Sequence, residues 1–166
     1  MSNQQYLLFS GTKCIATTPV TRGGHDLIIA GEGLWVVKAS DLRQNRASPY
    51  QLANGQFKSV ATSSFQHLQK CFLSIWILNA QNTLKEVQYI DSVYENKAQI
   101  AGGFLCKSFM MLSNKLGTQD VLYLDEKDEV TWIERAQDDH LKWLAVARKN
   151  GLRAGISPYS CVSNHS

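Results

Sequence analysis

The sequence has no apolar run approaching the ~18 residues that a membrane-spanning helix needs, so membrane insertion is not expected. Met1–Gln5 lacks the positive region and long apolar core of a signal peptide, which leads to the expectation of a soluble protein of the bacterial or host cytosol. There are only 4 cysteines, at positions 14, 71, 106 and 161, and no Cys-x-x-Cys pair. They are expected to be reduced, with at least two buried as small hydrophobes. Charged residues make up 19% of the chain and the net charge of +3 is spread along it. Without a clustered basic stripe, nucleic acid is not the expected partner. Glycine makes no nucleotide signature: Gly31-Glu32-Gly33 lacks the third glycine and the following helix, and no Gly-Lys-Ser/Thr loop is present. No cofactor is therefore expected. No fixed-period repeat stands out either.

What is present is a core. At 166 residues and 44% apolar content the chain can bury about 70% of its unfolded surface without disulfide or metal. One globular unit over 1–157 is expected, with 158–166 as an extended or loose tail. Cys71-Phe72-Leu73-Ser74-Ile75-Trp76-Ile77-Leu78 is apolar on both alternations and ends in Asn79-Ala80-Gln81-Asn82, the pattern of a central strand covered on both faces. Val87–Tyr94 reads as its antiparallel neighbour, and Asp125–Asp128 as a hairpin turn between 121–124 and 130–133. Asn54-Gly55 is a short hairpin signal. Tyr6–Phe9, Cys14–Thr18, Asp26–Ala30 and Leu34–Lys38 read as short strands, and Ser40 opens one helical turn.

Helical spacing is read in three places. Ser63 or Ser64 caps a run through Phe65, Leu68 and Phe72; Leu105, Phe109, Leu112 and Leu116 follow at similar intervals; and 137–150 begins with Asp138-Asp139 and ends with Arg148-Lys149 before Gly151. The expected fold class is α+β, a largely antiparallel sheet with two or three helices packed against it.

Cys14 opens one predicted strand and His25 the next, so a hairpin through Thr21-Arg22-Gly23-Gly24 would bring thiol and imidazole close, as an activated thiolate requires. Ser10-Gly11-Thr12-Lys13-Cys14, a strand, a glycine turn and His25 resemble the catalytic hairpin of the cysteine glutamine deamidases, the chemoreceptor deamidases and cytotoxic-necrotizing-factor toxins. The resemblance covers the first thirty residues. It implies Cys14 as nucleophile on a protein glutamine amide and His25 as its general base. The alternative is a buried structural Cys14 with a turn-facing His25.

His67-x-x-x-Cys71 and Cys161-x-x-x-His165 have same-face helical spacing, but a surface His67 with a core Cys71 accounts for the first pair and no metal site is expected. Lys142, Arg148, Lys149 and Arg153 near Trp143 read as helix-end charges rather than as a nucleic-acid surface. With no cofactor fingerprint or triad and with 4 tryptophans, the expected function is a small accessory protein that acts by binding another protein, as a toxin-neutralising or assembly component. A thiol amidohydrolase on Cys14 and His25 is the alternative.

Overall fold

The computed structural model describes residues 12–19, 24–44, 49–96, 99–113 and 119–153. Among them lie ten strands: β1 (Thr12–Pro19), β2 (His25–Val37), β3 (Tyr50–His67), β4 (Lys70–Asn79), β5 (Thr83–Ile90), β6 (Gln99–Leu105), β7 (Ser108–Ser113), β8 (Gln119–Leu124), β9 (Glu129–Arg135) and β10 (Trp143–Arg153). A single five-residue helix, α1 (Ala39–Arg43), accompanies them. No helix of the described residues is long and apolar enough to cross a membrane.

Every strand pairing is antiparallel, in the orders β1-β2-β3-β4-β5-β6 and β10-β9-β8-β7. The 18-residue β3 belongs to two regions of the first sheet: its start pairs with β2 and Phe57–His67 pairs with β4. The sheet bends there, helped by Gly33 in β2, where φ is +84° and an added Cβ would meet the Trp35 indole nitrogen at 2.8 Å. The bend folds β1 and β2 back over β3–β5, and the Thr62 hydroxyl donates to the Thr17 carbonyl at 2.7 Å. Three layers result: β1, β2 and the start of β3; the rest of β3 with β4–β6; and β7–β10.

Two spaces separate these layers, and β4 feeds both. Leu73, Ile75 and Ile77 meet Ile28, Ala30, Leu34, Val36, Val87 and Tyr89 in the first space. Trp76 and Leu78, on the opposite alternation, meet Leu84, Val121 and Ile133 in the second. The double-faced apolar pattern of the central strand has this cause. The first space is nearly all hydrocarbon. Its buried carboxylate, Asp26, accepts the Ala39 N–H at 2.8 Å and the Tyr94 hydroxyl at 2.6 Å. Burial and that carboxylate push the Tyr94 phenol well above its ordinary pKa.

The expected α+β class is corrected to all-β, because the three predicted helices are strands and turns. Phe65 and Phe72 are cross-strand partners in the β3–β4 hairpin, their rings stacked at 5.1 Å across the two-residue turn Leu68-Gln69. A hairpin with such a loop places residues seven apart on one face, as two helical turns do. Phe109 and Met111 lie on one face of β7 and pack against the second core; Leu116 lies outside the described residues. The segment 137–150 is a turn followed by β10. Asn54-Gly55 also departs from expectation: it lies inside β3, beside a register irregularity, rather than at a hairpin tip. Tyr6–Phe9 and the 158–166 tail lie outside the described residues.

The structure also carries a repeat that the sequence does not display. The strands from late β3 to β6 and from β7 to β10 form two successive four-stranded meanders, the unit that radial β architectures multiply. Their central turns match. Asn79 Oδ1 accepts the N–H groups of Gln81 at 3.0 Å and Thr83 at 2.9 Å. Asp125 Oδ1, 46 positions on (79 to 125), accepts those of Lys127 at 2.8 Å and Glu129 at 2.9 Å. Asn82 and Asp128 take φ of 62° and 64°, and a lysine reaches each, Lys58 and Lys107 respectively.

Candidate functional site

Strand alternation sets Leu84, Glu86 and Gln88 of β5 on the face that meets the third layer. Gln119 of β8 and Arg135 of β9 come from the opposite side. Glu86 is wholly buried and the Arg135 side chain is 8% exposed. A charge in that position is costly unless it is paired and hydrogen-bonded, and here it is both.

The Arg135 guanidinium grips the Glu86 carboxylate at both oxygens: Nη2 bonds Oε2 and Nη1 donates to Oε1 at 3.1 Å. Its remaining donors reach Gln119 Oε1, from Nη2 at 2.6 Å, and the His140 carbonyl, from Nη1 at 2.5 Å. The carboxylate also accepts from Ser74 Oγ, from Gln88 Nε2 at 2.6 Å and from the Trp143 indole at 3.2 Å. Aromatic rings complete the surround: Arg135 Cζ lies 3.7 Å from the Phe65 ring centroid and 4.5 Å from that of Trp143. Cation–π attraction is strongest in such a desolvated setting.

Residues 137–142 cross the outer end of this cluster as a turn, closed by Ala136 N–H to the Lys142 carbonyl at 2.9 Å and Lys142 N–H to the Asp139 carbonyl at 3.0 Å. His140 points inward from it, with ring centroids 4.6 Å from Phe72 and 5.0 Å from His67. Gln88 Nε2 donates to Glu86 and, at 2.8 Å, to the His140 carbonyl, so its Oε1 is left as the acceptor for His140 Nδ1 at 2.7 Å. The neutral imidazole is thereby assigned as the Nδ1–H tautomer. Burial, with His67 next, lowers the His140 pKa from its ordinary 6.5, and Arg135 adds to this. Asp139 and Glu86 act in the opposite sense.

The residues singled out from sequence lie elsewhere. The β1–β2 register sets Cys14 opposite Ala30 and His25 opposite Pro19. The two backbones therefore stand five residues apart along the hairpin, roughly 16 Å, and the register does not bring them together. His25 is exposed, while the Cys14 side chain lies outside the described residues. Gln66 pairs with Cys71 and His67 with Lys70, so His67 and Cys71 project to opposite faces; Cys161 and His165 lie outside the described residues. Among the described residues no group of three or more His, Cys, Asp or Glu side chains is placed to hold a metal. Burial pushes the Cys106 thiol up to about 11, which disfavours its thiolate.

No protein-family model matches the chain, and no curated protein matches it. Among solved structures it is similar to a fucose lectin from Kordia zhangzhouensis, in complex with methyl-fucoside. The TM-score is 0.50 and the identity 12%, over 82% of this chain and 100% of the lectin chain. The two share a fold.

Sequence reasoning passed over Glu86, Gln88, Gln119 and Arg135, and read Trp143 and Lys142 as parts of a helix. One signal was available: in Leu84-Lys85-Glu86-Val87-Gln88-Tyr89 both alternations carry apolar residues, so a strand covered on both faces, like its central neighbour, turns Glu86 inward beside Leu84. An inward carboxylate predicts a buried partner, though not which arginine supplies it.

Proposed function

We propose that this protein binds a neutral carbohydrate at the outer end of the second interlayer space, through Arg135, Glu86 and Gln88 as hydrogen-bonding groups and Trp143 as an aromatic wall. The observation that carries the reading is the Arg135–Glu86 pair, its guanidinium held between the rings of Phe65 and Trp143, in a space whose counterpart is hydrocarbon apart from Asp26, Tyr89 and Tyr94. A sugar hydroxyl both donates and accepts, so a guanidinium and a carboxylate side by side suit it, with charge-assisted bonds of the stronger kind. The C–H faces of a pyranose ring are apolar and match an indole that keeps one polar edge. Glu86 compensates Arg135, so the pair presents no net charge and favours neutral sugars over acidic ones.

The shared fold supports the same reading, because the similar protein is a fucose lectin, in complex with methyl-fucoside. The ligand proposed here replaces the protein partner expected from composition.

Isothermal titration with methyl-fucoside and a panel of neutral methyl glycosides tests the proposal, at pH 7.5 and at pH 5. At least one glycoside should bind the wild type, and Arg135→Lys, which keeps the charge but loses the fork that spans both carboxylate oxygens, should weaken it by at least about tenfold. Thermal melting of the variant confirms that it is folded. No binding across the panel at either pH, or equal binding by Arg135→Lys, would overturn the assignment.

A further inference from the structure

The groups that would meet a sugar are already occupied by the chain itself. The His140 carbonyl accepts from Arg135 Nη1 and from Gln88 Nε2, two donors from opposite layers converging on one oxygen. The same residue closes the contact a second time through Nδ1 to Gln88 Oε1. A ligand oxygen bonding these donors would have to displace that carbonyl. We propose that the turn 137–142 is an autoinhibitory strap, in which His140 stands in for ligand and is released by protonation of its ring.

The geometry states why protonation releases it. With Nδ1–H committed to Gln88, a further proton enters at Nε2 and leaves a cation in the cluster. The charged and titratable groups facing His140 are His67 from β3, Arg135 from β9, Glu86 from β5 and Asp139 on the turn itself. Arg135 is a permanent cation, and the Glu86 carboxylate is already engaged by it at both oxygens. His67 sets a second imidazole beside it, 5.0 Å between ring centroids, and its electrostatic effect opposes a proton on His140. The aromatic faces of Phe72 and Phe65 leave the ring partly desolvated. The lowered pKa of His140 agrees with this balance.

The closed strap thus binds a proton less readily than the open one. Its hold is complete above the ordinary value of 6.5 and weakens as pH falls through and below it. Opening frees Arg135 Nη1 and Gln88 Nε2, the two donors that the His140 carbonyl occupies in the closed strap.

This inference rests on the carbohydrate site for its purpose but not for its test. Hydrogen exchange followed by mass spectrometry on the intact protein, without ligand, reads the turn amides of Leu141 and Lys142 and the closing amide of Ala136. After correction for the intrinsic pH dependence of exchange, opening should rise roughly three- to tenfold between pH 7.5 and pH 5. His140→Phe, which keeps the ring packing and cannot protonate, should abolish the rise, and His140→Gln serves as a second neutral replacement should the first misfold. His67→Phe should diminish it. A flat profile in the wild type, or an undiminished rise in the neutral variants, would overturn the strap. Titration with methyl-fucoside separates the two readings: if the strap opens yet no neutral glycoside binds at pH 5, the carbohydrate site fails and the strap stands. Equal affinity at pH 7.5 and 5 with acid-dependent opening would overturn the autoinhibitory role and leave the site intact.

Discussion

Glu86 is the residue whose position most needs a reason beyond stability. A buried arginine–carboxylate pair seldom adds net stability over packed hydrocarbon, because two ions must be taken out of water, yet removing one partner strands the other. Glu86→Ala should therefore lose about 3–5 kcal/mol. The double replacement Glu86→Leu with Arg135→Met should recover most of that loss, since the neighbouring Trp76, Leu84 and Ile133 already form an apolar setting. Urea denaturation of the wild type, single and double variants measures both. If the double variant were as unstable as the single one, the pair would be a structural necessity and the functional argument built on it would weaken.

At the level of elements, strands were legible wherever their patterning was local. The central strand and the turn at Asp125–Asp128 stand where alternation and turn chemistry put them, and the antiparallel neighbour expected at Val87–Tyr94 is present but runs Thr83–Ile90, with Asp91–Tyr94 in the turn that follows. The first predicted helix was not legible as strands because the β3–β4 hairpin reproduces a helical interval: Phe65 and Phe72 are seven apart by sequence and face to face by register. Asp138 and Asp139, read as a helix start, belong instead to the turn that carries His140. The site was illegible for a related reason. Its members come from β3, β4, β5, β8, β9, the turn before β10 and the first residue of β10, so only the third dimension assembles them. Repetition was hidden as well, since the two meanders share turn chemistry rather than residues. The shared chemistry is testable: Asn79→Ala and Asp125→Ala each remove one acceptor from two backbone N–H groups and should cost similar amounts, about 1–2 kcal/mol. Unequal losses in chemical denaturation, with one variant neutral, would mean that the turns are alike in geometry only.

Across the whole molecule, β4 ties the layers into one unit. Ile75 and Trp76 are adjacent in sequence, both wholly buried, and project into different layer spaces. Neither space can open without exposing one face of the same strand, and β3, which pairs with β4, carries the bend that holds β1 and β2 in place. Layers joined in this way should unfold together rather than in sequence. Ile75→Ala and Trp76→Ala should each destabilise by about 2–5 kcal/mol, and each should shift the entire transition. Far-UV circular dichroism reports all strands, whereas tryptophan fluorescence weights Trp76 and Trp143 in the second space, with Trp35 and Trp132 outside it. Superimposable curves in wild type and both variants are the expected result. A Trp76→Ala transition split into two phases, with β1–β3 surviving the loss of the outer meander, would show that the second space is a separable unit. The strap and its site would then sit on a layer that can loosen without the rest.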